Sequence, residues 1–563
     1  MEFVSYDIKS NDFDAAGAAS SAIKERLKRI GADAESVRRT MIAAYEAEMN
    51  VVIHAHGGRL EASLSDDAID VDVIDEGPGI PDIGLAMKEG FSTASSEARA
   101  MGFGAGLGLP NIKKNSDRLR VTSRENEGTR VSFTVYLKRG STCAPSVVSL
   151  AASTDRCRDC RRCLVVCPTQ AVRMRNGRPF ILEHLCVGCT DCIAACTSSA
   201  LTVREDVSSL ADLRDTEDVV LAVPPALLAG CGPGFSPSRV LGGLRALGFA
   251  DVIGVAPFER ALRQATLALA REDSARAAAD PKKRALPVIA PMCPAVVNLI
   301  ELRFPSLIPQ LAPFDSPWEA LQAAHSDRRL AYVVSCPSQR SALMAHESAD
   351  TADSCVRPGA VYLSPQSVRG SVMTLLGAQG QEYAAAGSSG PTPTDPAAAA
   401  PAGRAGTDEV GRPAADELLV VTGMEHVTAV LEQIENGLLT DVGAVELYAC
   451  AGGCFGSPLL PLDFHVTARR WAHEEDLASA ADAPAPGPRR LPYAARPGIR
   501  LDANMGRAIE KLGQLQALAR ALPGKDCGTC GAPTCAALAE DIVMGRATTD
   551  LCPYSVNEKE ACS

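Results

Sequence analysis

The chain has 563 residues, too many for one hydrophobic core, so about three to five domains are expected. A net charge of −12 without a long basic run argues against nucleic acid as a partner. No basic-then-apolar N-terminus and no apolar run of about 18 residues points to export or to a membrane span. Twenty cysteines, many in tight C-x2-C spacing, therefore indicate metal in a reducing cytoplasm rather than a disulfide framework.

In chain order, residues 35–56 carry helical apolar spacing, with Glu46, Asn50 and His54 on one face. The run AIDVDVID (68–75) reads as a strand ending in Asp75-Glu76-Gly77-Pro78-Gly79. A second glycine loop, Gly102-Phe103-Gly104-Ala105-Gly106-Leu107-Gly108, opens a further helical stretch, and the alternation over 121–137 predicts a hairpin with Gly128-Thr129 near its turn. A carboxylate at a strand end can accept a hydrogen bond from an adenine amino group. Glycines at a helix N-terminus can offer amide N–H groups to phosphates, and an Asn on the facing helix can join Mg²⁺ coordination.

In that order these residues resemble the histidine-kinase-like ATPases, specifically the anti-sigma-factor serine kinases. The resemblance covers 1–138 and implies an α/β sandwich that binds ATP with Mg²⁺. Asn50 would meet the metal and Asp75 the adenine, with Gly77, Gly79, Gly104, Gly106 and Gly108 around the nucleotide. Glu46 becomes the candidate base. No phosphoacceptor-histidine helix precedes the domain. The residues do not choose between serine-kinase activity and ATP binding alone.

Residues 150–205 contain C-x2-C-x2-C-x3-C twice, which resembles the bacterial two-cluster ferredoxins. By that fold's interleaving, Cys157, Cys160, Cys163 and Cys196 hold one 4Fe–4S cluster and Cys167, Cys186, Cys189 and Cys192 the other.

Residues 206–475 carry four scattered cysteines. Cys293 and Cys336 each follow a β-rich run (ALPVIA, LAYVVS), and Cys450 and Cys454 lie in the glycine-rich VELYACAGGCFGSPL. The stretches 222–259, 292–317 and VELYACAGGC resemble the catalytic domain of iron-only hydrogenases. That implies a 4Fe–4S cubane on Cys293, Cys336, Cys450 and Cys454, with Cys454 bridging to any diiron subcluster. The departures fall at the chemistry. Met292 replaces a proton-relaying cysteine, and Gln339 replaces a lysine that anchors cyanide, with Arg340 beside it as a substitute cation. Ser335, Tyr448 and Ser457 also depart from the family pattern. A thioether cannot pass a proton, so fast hydrogen turnover is not expected; a cubane without the diiron subcluster, or a slow, sensory hydrogen site, fits these residues better.

Within this domain 379–416 is Ala/Gly/Pro/Ser-rich and reads as a disordered insert; 476–504 reads as a linker. Residues 505–563 carry Cys527, Cys530, Cys535 and Cys552, resembling the four-cysteine 4Fe–4S domain of corrinoid/CO-dehydrogenase-type proteins. Cys143, Cys231, Cys355 and Cys562 receive no role.

The fold class is thus multidomain α/β and α+β: an ATPase sandwich, a bacterial ferredoxin, a hydrogenase-like α/β domain and a small C-terminal cluster domain. Four 4Fe–4S clusters fused to an anti-sigma-type domain suit a cytoplasmic redox- or hydrogen-sensing regulator. Its partners would be a redox protein or hydrogenase subunits and a phosphorylated regulatory protein. Two other readings stay open: an electron-transfer subunit, and a competent iron-only hydrogenase.

Overall fold

The computed structural model describes residues 2–555 apart from 14, 66, 89, 94–105, 138–149, 154, 204–212, 214–218, 233, 279–285, 351–360, 386–416, 461, 474–482, 497, 499 and 503. Gly104, Cys143, Cys355 and Cys562 therefore lie outside the described residues, as do 386–416.

At the N-terminus, Asp33 caps the helix Ala34–His54 by accepting the amide protons of Glu35 and Ser36. This helix and Ala18–Arg29 pack on an antiparallel five-stranded sheet. The sheet's order is Glu2–Lys9, Gly57–Leu64, Ala68–Asp75, Gly128–Tyr136, Arg118–Arg124. Period-two burial along Ala68–Asp75 sends Ile69, Val71 and Val73 inward, which fixes the register that leaves Asp75 at the strand's exit. The expected hairpin is present, pairing Val121 with Val131.

The ferredoxin segment is a pseudo-symmetric pair of short helices, Arg162–Val165 and Asp191–Ala194. Two antiparallel pairs frame them: Leu150–Ala152 with Leu201–Val203, and Val172–Arg175 with Arg178–Ile181.

The central domain has two parallel sheets. One runs Asp251–Gly254, Val219–Val223, Arg329–Val333, Val361–Leu363; the other runs Val288–Ala290, Ala444–Tyr448, Leu418–Thr422. Val219–Val223 is buried at every position, as a strand covered on both faces must be. Helix Pro365–Ala385 includes 379–385, the first residues of the segment expected to be disordered.

The stretch expected as a linker is also a packed strap. Over 483–496, Arg489 pairs with buried Glu319 at 2.7 Å, the Tyr493 hydroxyl donates to the Ala312 carbonyl, and Ala494 N–H donates to Glu301. Arg496 is 6% exposed and donates to the carbonyls of His184 and Cys186 in the ferredoxin segment.

The C-terminal helix Met505–Ala521 contributes Met505, Ala508, Ile509, Leu512 and Leu515 to the hydrophobic core of the ATPase domain, and its partner helix Cys535–Val543 extends the same cluster. No described helix is long and apolar enough to cross a membrane.

Candidate cluster and nucleotide sites

The four scattered cysteines of the central domain converge. Cys293, Cys336 and Cys450 each lie just beyond the carboxyl end of a parallel strand, drawn from both sheets, and with Cys454 they line one cavity. Strand ends of parallel sheets are where α/β folds open crevices. Gly452 and Gly453 turn the chain between Cys450 and Cys454 with φ of 76° and 68°, a region that an L side chain enters at a cost. Cys167, Cys186, Cys189 and Cys192 line a second cavity, and Cys527, Cys530, Cys535 and Cys552 a third. Cys157, Cys160 and Cys196 are close enough to act electrostatically on Cys163.

Burial pushes the more enclosed thiols up: Cys163 and Cys186 to about 11 and Cys450 to about 12. Burial also carries Cys189 and Cys454 well above the ordinary thiol range. A thiolate ligand is stable in such surroundings only with cationic metal beside it. Among the described residues, no group of three or more His, Cys, Asp or Glu side chains closes on a single ion. Sulfurs round one zinc would sit within about 4 Å of each other. The thiols instead stand around a cavity, which fits a cluster.

The second ferredoxin cavity and the central cavity share a wall. Gly188 and Cys189 line both the second ferredoxin cavity and the central one, and Thr190 Oγ1 lies 3.7 Å from Cys450 Sγ. Ser338 Oγ and Asn298 Nδ2 both donate to the Val187 carbonyl, fastening that loop to the central domain. At the other end, Arg161, between Cys160 and Cys163, donates to the carbonyls of Gly528 and Thr529, between Cys527 and Cys530. Met174 N–H donates to the Gly531 carbonyl at 2.7 Å. A Cβ on Gly531 would lie 2.1 Å from Met174 O, so only glycine allows this approach. The order in space is C-terminal site, first ferredoxin site, second ferredoxin site, central site.

The central departures act together. The Gln339 amide donates to Cys454 Sγ at 3.8 Å and accepts from Ser335 N–H at 2.8 Å, while Ser457 Oγ donates to the Ser335 carbonyl at 2.6 Å. Arg340 does not substitute for the lysine: its guanidinium lies over the Tyr362 ring at 5.5 Å and does not line the cavity. Met292 is buried in a small apolar cluster with Leu262 and Ala290. Tyr448 lines the cavity and donates to buried Glu446, which Arg263 holds at 2.6 and 2.7 Å. Sequence reading gave Glu446 and Arg263 no part, because 183 residues separate them.

In the ATPase domain, Asp75 Oδ1 accepts from Gly77 N–H at 2.9 Å and Thr129 N–H at 3.1 Å. Burial raises its carboxyl above the usual range, while those bonds oppose the rise. Gly79 has φ 74° and backs onto the Arg124 carbonyl; Gly106 also has positive φ. Gly108 starts the helix Gly108–Asn115 against the Asn50 amide. Glu46 Oε1 accepts from Asn111 Nδ2 at 2.6 Å, and burial raises its carboxyl. Asn111 and Thr129 support the site but belong to no motif spacing. Cys231 is a buried thiol bonded to the Leu227 carbonyl, outside every site.

Family comparisons follow the same order along the chain, and the hydrogenase match ends at residue 335, short of Cys336, Cys450 and Cys454. Residues 37–139 match the histidine kinase-, DNA gyrase B-, and HSP90-like ATPase family, and 156–201 the 4Fe-4S dicluster domain. Residues 217–335 match the iron only hydrogenase large subunit, C-terminal domain, and 522–554 an Fe-S cluster family. An anti-sigma F factor of Caldanaerobacter subterraneus subsp. tengcongensis is 34% identical over 110 residues, 19% of this chain and 73% of that one. The serine/threonine-protein kinase RsbT of Bacillus subtilis is 30% identical over 125 residues, 22% of this chain and 88% of that one. The FeFe hydrogenase HydA1 of Chlamydomonas reinhardtii aligns over 46% of this chain and 83% of its own, at 17% identity and a TM-score of 0.28. The chain is an iron–sulfur protein that belongs, through its N-terminal domain, to the anti-sigma F factor family of histidine-kinase-like ATPases.

Proposed function

We propose that this is a redox-responsive regulator in which four 4Fe–4S clusters in series bias an ATP-binding domain of anti-sigma type. The observation that carries the reading is the continuity of the chain of sites. It runs from the central cavity through Cys189 to the ferredoxin loops, through Arg161 to the C-terminal loop, and ends in a domain whose helix shares the ATPase core.

The clusters would be held by the cysteine sets named above and would supply one-electron redox chemistry. The chain's own part is to fix those thiolates, exclude water from the central one, and carry the C-terminal domain against the nucleotide domain. Asn50, Asp75 and the glycines at 77, 79, 106 and 108 would bind ATP with Mg²⁺. Glu46 would take the proton of a substrate hydroxyl, and the likeness to anti-sigma F factors and to a serine/threonine kinase supports a regulatory protein as substrate or partner. Met292 and the Gln339–Cys454 contact weigh against hydrogen turnover. The reading is tested by Asp75→Asn, which is expected to abolish ATP binding at the Asp75 site while iron content and cluster spectra stay unchanged. Loss of clusters in that variant would make the domain a structural scaffold instead.

A further inference from the structure

A cavity of about 270 Å³ opens where the ATPase domain, the ferredoxin segment, the central domain and the strap meet. Its charge is one-sided. Lys28 and Arg29 come from the first helix, Arg303 from the central domain, and Arg496 and Arg500 from the strap and the segment after it. Among the lining residues Glu25 is the one acid, so the lining carries five cations against one carboxylate, formally +4 in a chain of net −12; behind it Glu435 acts on Lys28, and Arg29 and Arg496 act on Glu540 and Glu301.

Helix dipoles account for part of this. Lys28 and Arg29 close the helix Ala18–Arg29 and Arg303 closes Pro294–Arg303, and each helix end contributes roughly −0.5 charge. About +3 is left, and neither helix calls for Arg496 or Arg500. Several of these cations are oriented by carbonyl acceptors, and Lys28 also faces Glu25 at 3.8 Å. Lys28 Nζ donates to the Arg303 carbonyl, Arg303 to the Pro168 carbonyl, Arg496 to ferredoxin carbonyls, and Arg500 Nε to the Asp502 carbonyl. Such bonds orient the guanidinium groups and leave their charge in place. Burial, with Lys24 and Arg303 beside it, holds Lys28 down to about 8 against the opposing influence of Glu25 and Glu435.

We propose that this cavity binds a small, multiply charged, phosphate-bearing anion. It is distinct from the ATP site: Val37 at the cavity and Asn50 at the nucleotide site are thirteen residues apart on one helix, about 20 Å along its axis. Because its walls come from the ATPase domain and the redox unit together, an anion there neutralises charge shared between them and tightens their docking.

The test is calorimetric titration of the intact chain with inorganic tripolyphosphate, and with ATP in an Asp75→Asn background. Saturable binding of either anion at one site per chain is expected, weakened at least tenfold by Arg29→Gln/Arg500→Gln with cluster absorbance unchanged. Binding of both anions or of ATP alone identifies a nucleotide as ligand, and binding of tripolyphosphate alone an inorganic polyphosphate. If the double variant does not fold, Arg303→Gln takes its place with the same expectation. Absence of saturable binding by both anions, or equal binding by parent and variant, overturns the proposal.

Discussion

The Asp541 carboxylate meets the Arg173 guanidinium at 2.7 Å with neither side chain more than 1% exposed. The pair joins the C-terminal cluster domain to the ferredoxin segment. Arg175 reaches the same carboxylate at 2.7 Å, and Arg546 and Glu540 complete the network. Removing one partner of a buried pair strands the other charge, at a cost of about 3–5 kcal/mol. Asp541→Asn is therefore expected to lower the melting temperature and expose the C-terminal domain to limited proteolysis. A paired Arg173→Met/Asp541→Leu change should recover part of the loss, since Arg173 is then not stranded, Arg546 keeps Glu540, and Arg175, which loses its acid, is part-exposed. Wild-type stability in Asp541→Asn would contradict the assignment.

The cysteine sets predict iron in units of four. Cys336→Ser and Cys535→Ser should each remove about four irons from the purified chain and leave the remaining clusters. Stoichiometric zinc in the parent protein would sink the C-terminal assignment.

At the central site, the Gln339 amide faces Cys454 Sγ where the hydrogenase pattern has a lysine, and Met292 cannot relay protons. Protein matured together with hydrogenase assembly factors is expected to lack strong CO and CN infrared bands. Strong bands accompanied by hydrogen uptake would restore the hydrogenase reading.

The glycine loop after Asp75 gives a steric prediction. A Cβ on Gly79 would lie 2.1 Å from the Arg124 carbonyl at a φ of 74°. Gly79→Ala should weaken ATP binding by at least tenfold while the clusters stay unchanged, as read by nucleotide titration and visible absorbance.

Lys28 gives a signed pH dependence. Burial lowers it from 10.5 to about 8, so between those pH values the unfolded chain binds the extra proton. Stability from this group is least below pH 8 and rises as pH climbs toward 10.5. The difference in melting temperature between Lys28→Met and wild type should therefore shrink over that interval. A difference independent of pH would show that Lys28 is not desolvated.

Local spacing was enough to group the ferredoxin and C-terminal cysteines, because they sit on tight loops whose geometry is written within a few residues, and most of them line shared cavities. The candidate nucleotide loops rest on equally local spacing. The central four were grouped by resemblance and not by spacing, since it is two separate parallel sheets that bring Cys293, Cys336 and Cys450 to one place. Arg173 and Asp541 lie 368 residues apart, and neither shows by itself that it will be buried. The strap was misread by composition. Its Ala and Pro content looks unstructured, yet Arg489, Tyr493 and Arg496 supply enough hydrogen bonds to pin it. Arg340 was misassigned because sequence adjacency to Gln339 says nothing about which side of a helix faces the cavity.

The central claim is that cluster oxidation state changes what the ATPase domain does. Its most direct test is ATP affinity of the intact protein, oxidised and then fully reduced under anaerobic conditions, with Asp541→Asn as the uncoupled control. We predict a change of about fivefold or more between the two states, the usual lower range of site-to-site coupling, and its loss in the control. Equal affinity in both states, with all clusters demonstrably reduced, would contradict the account.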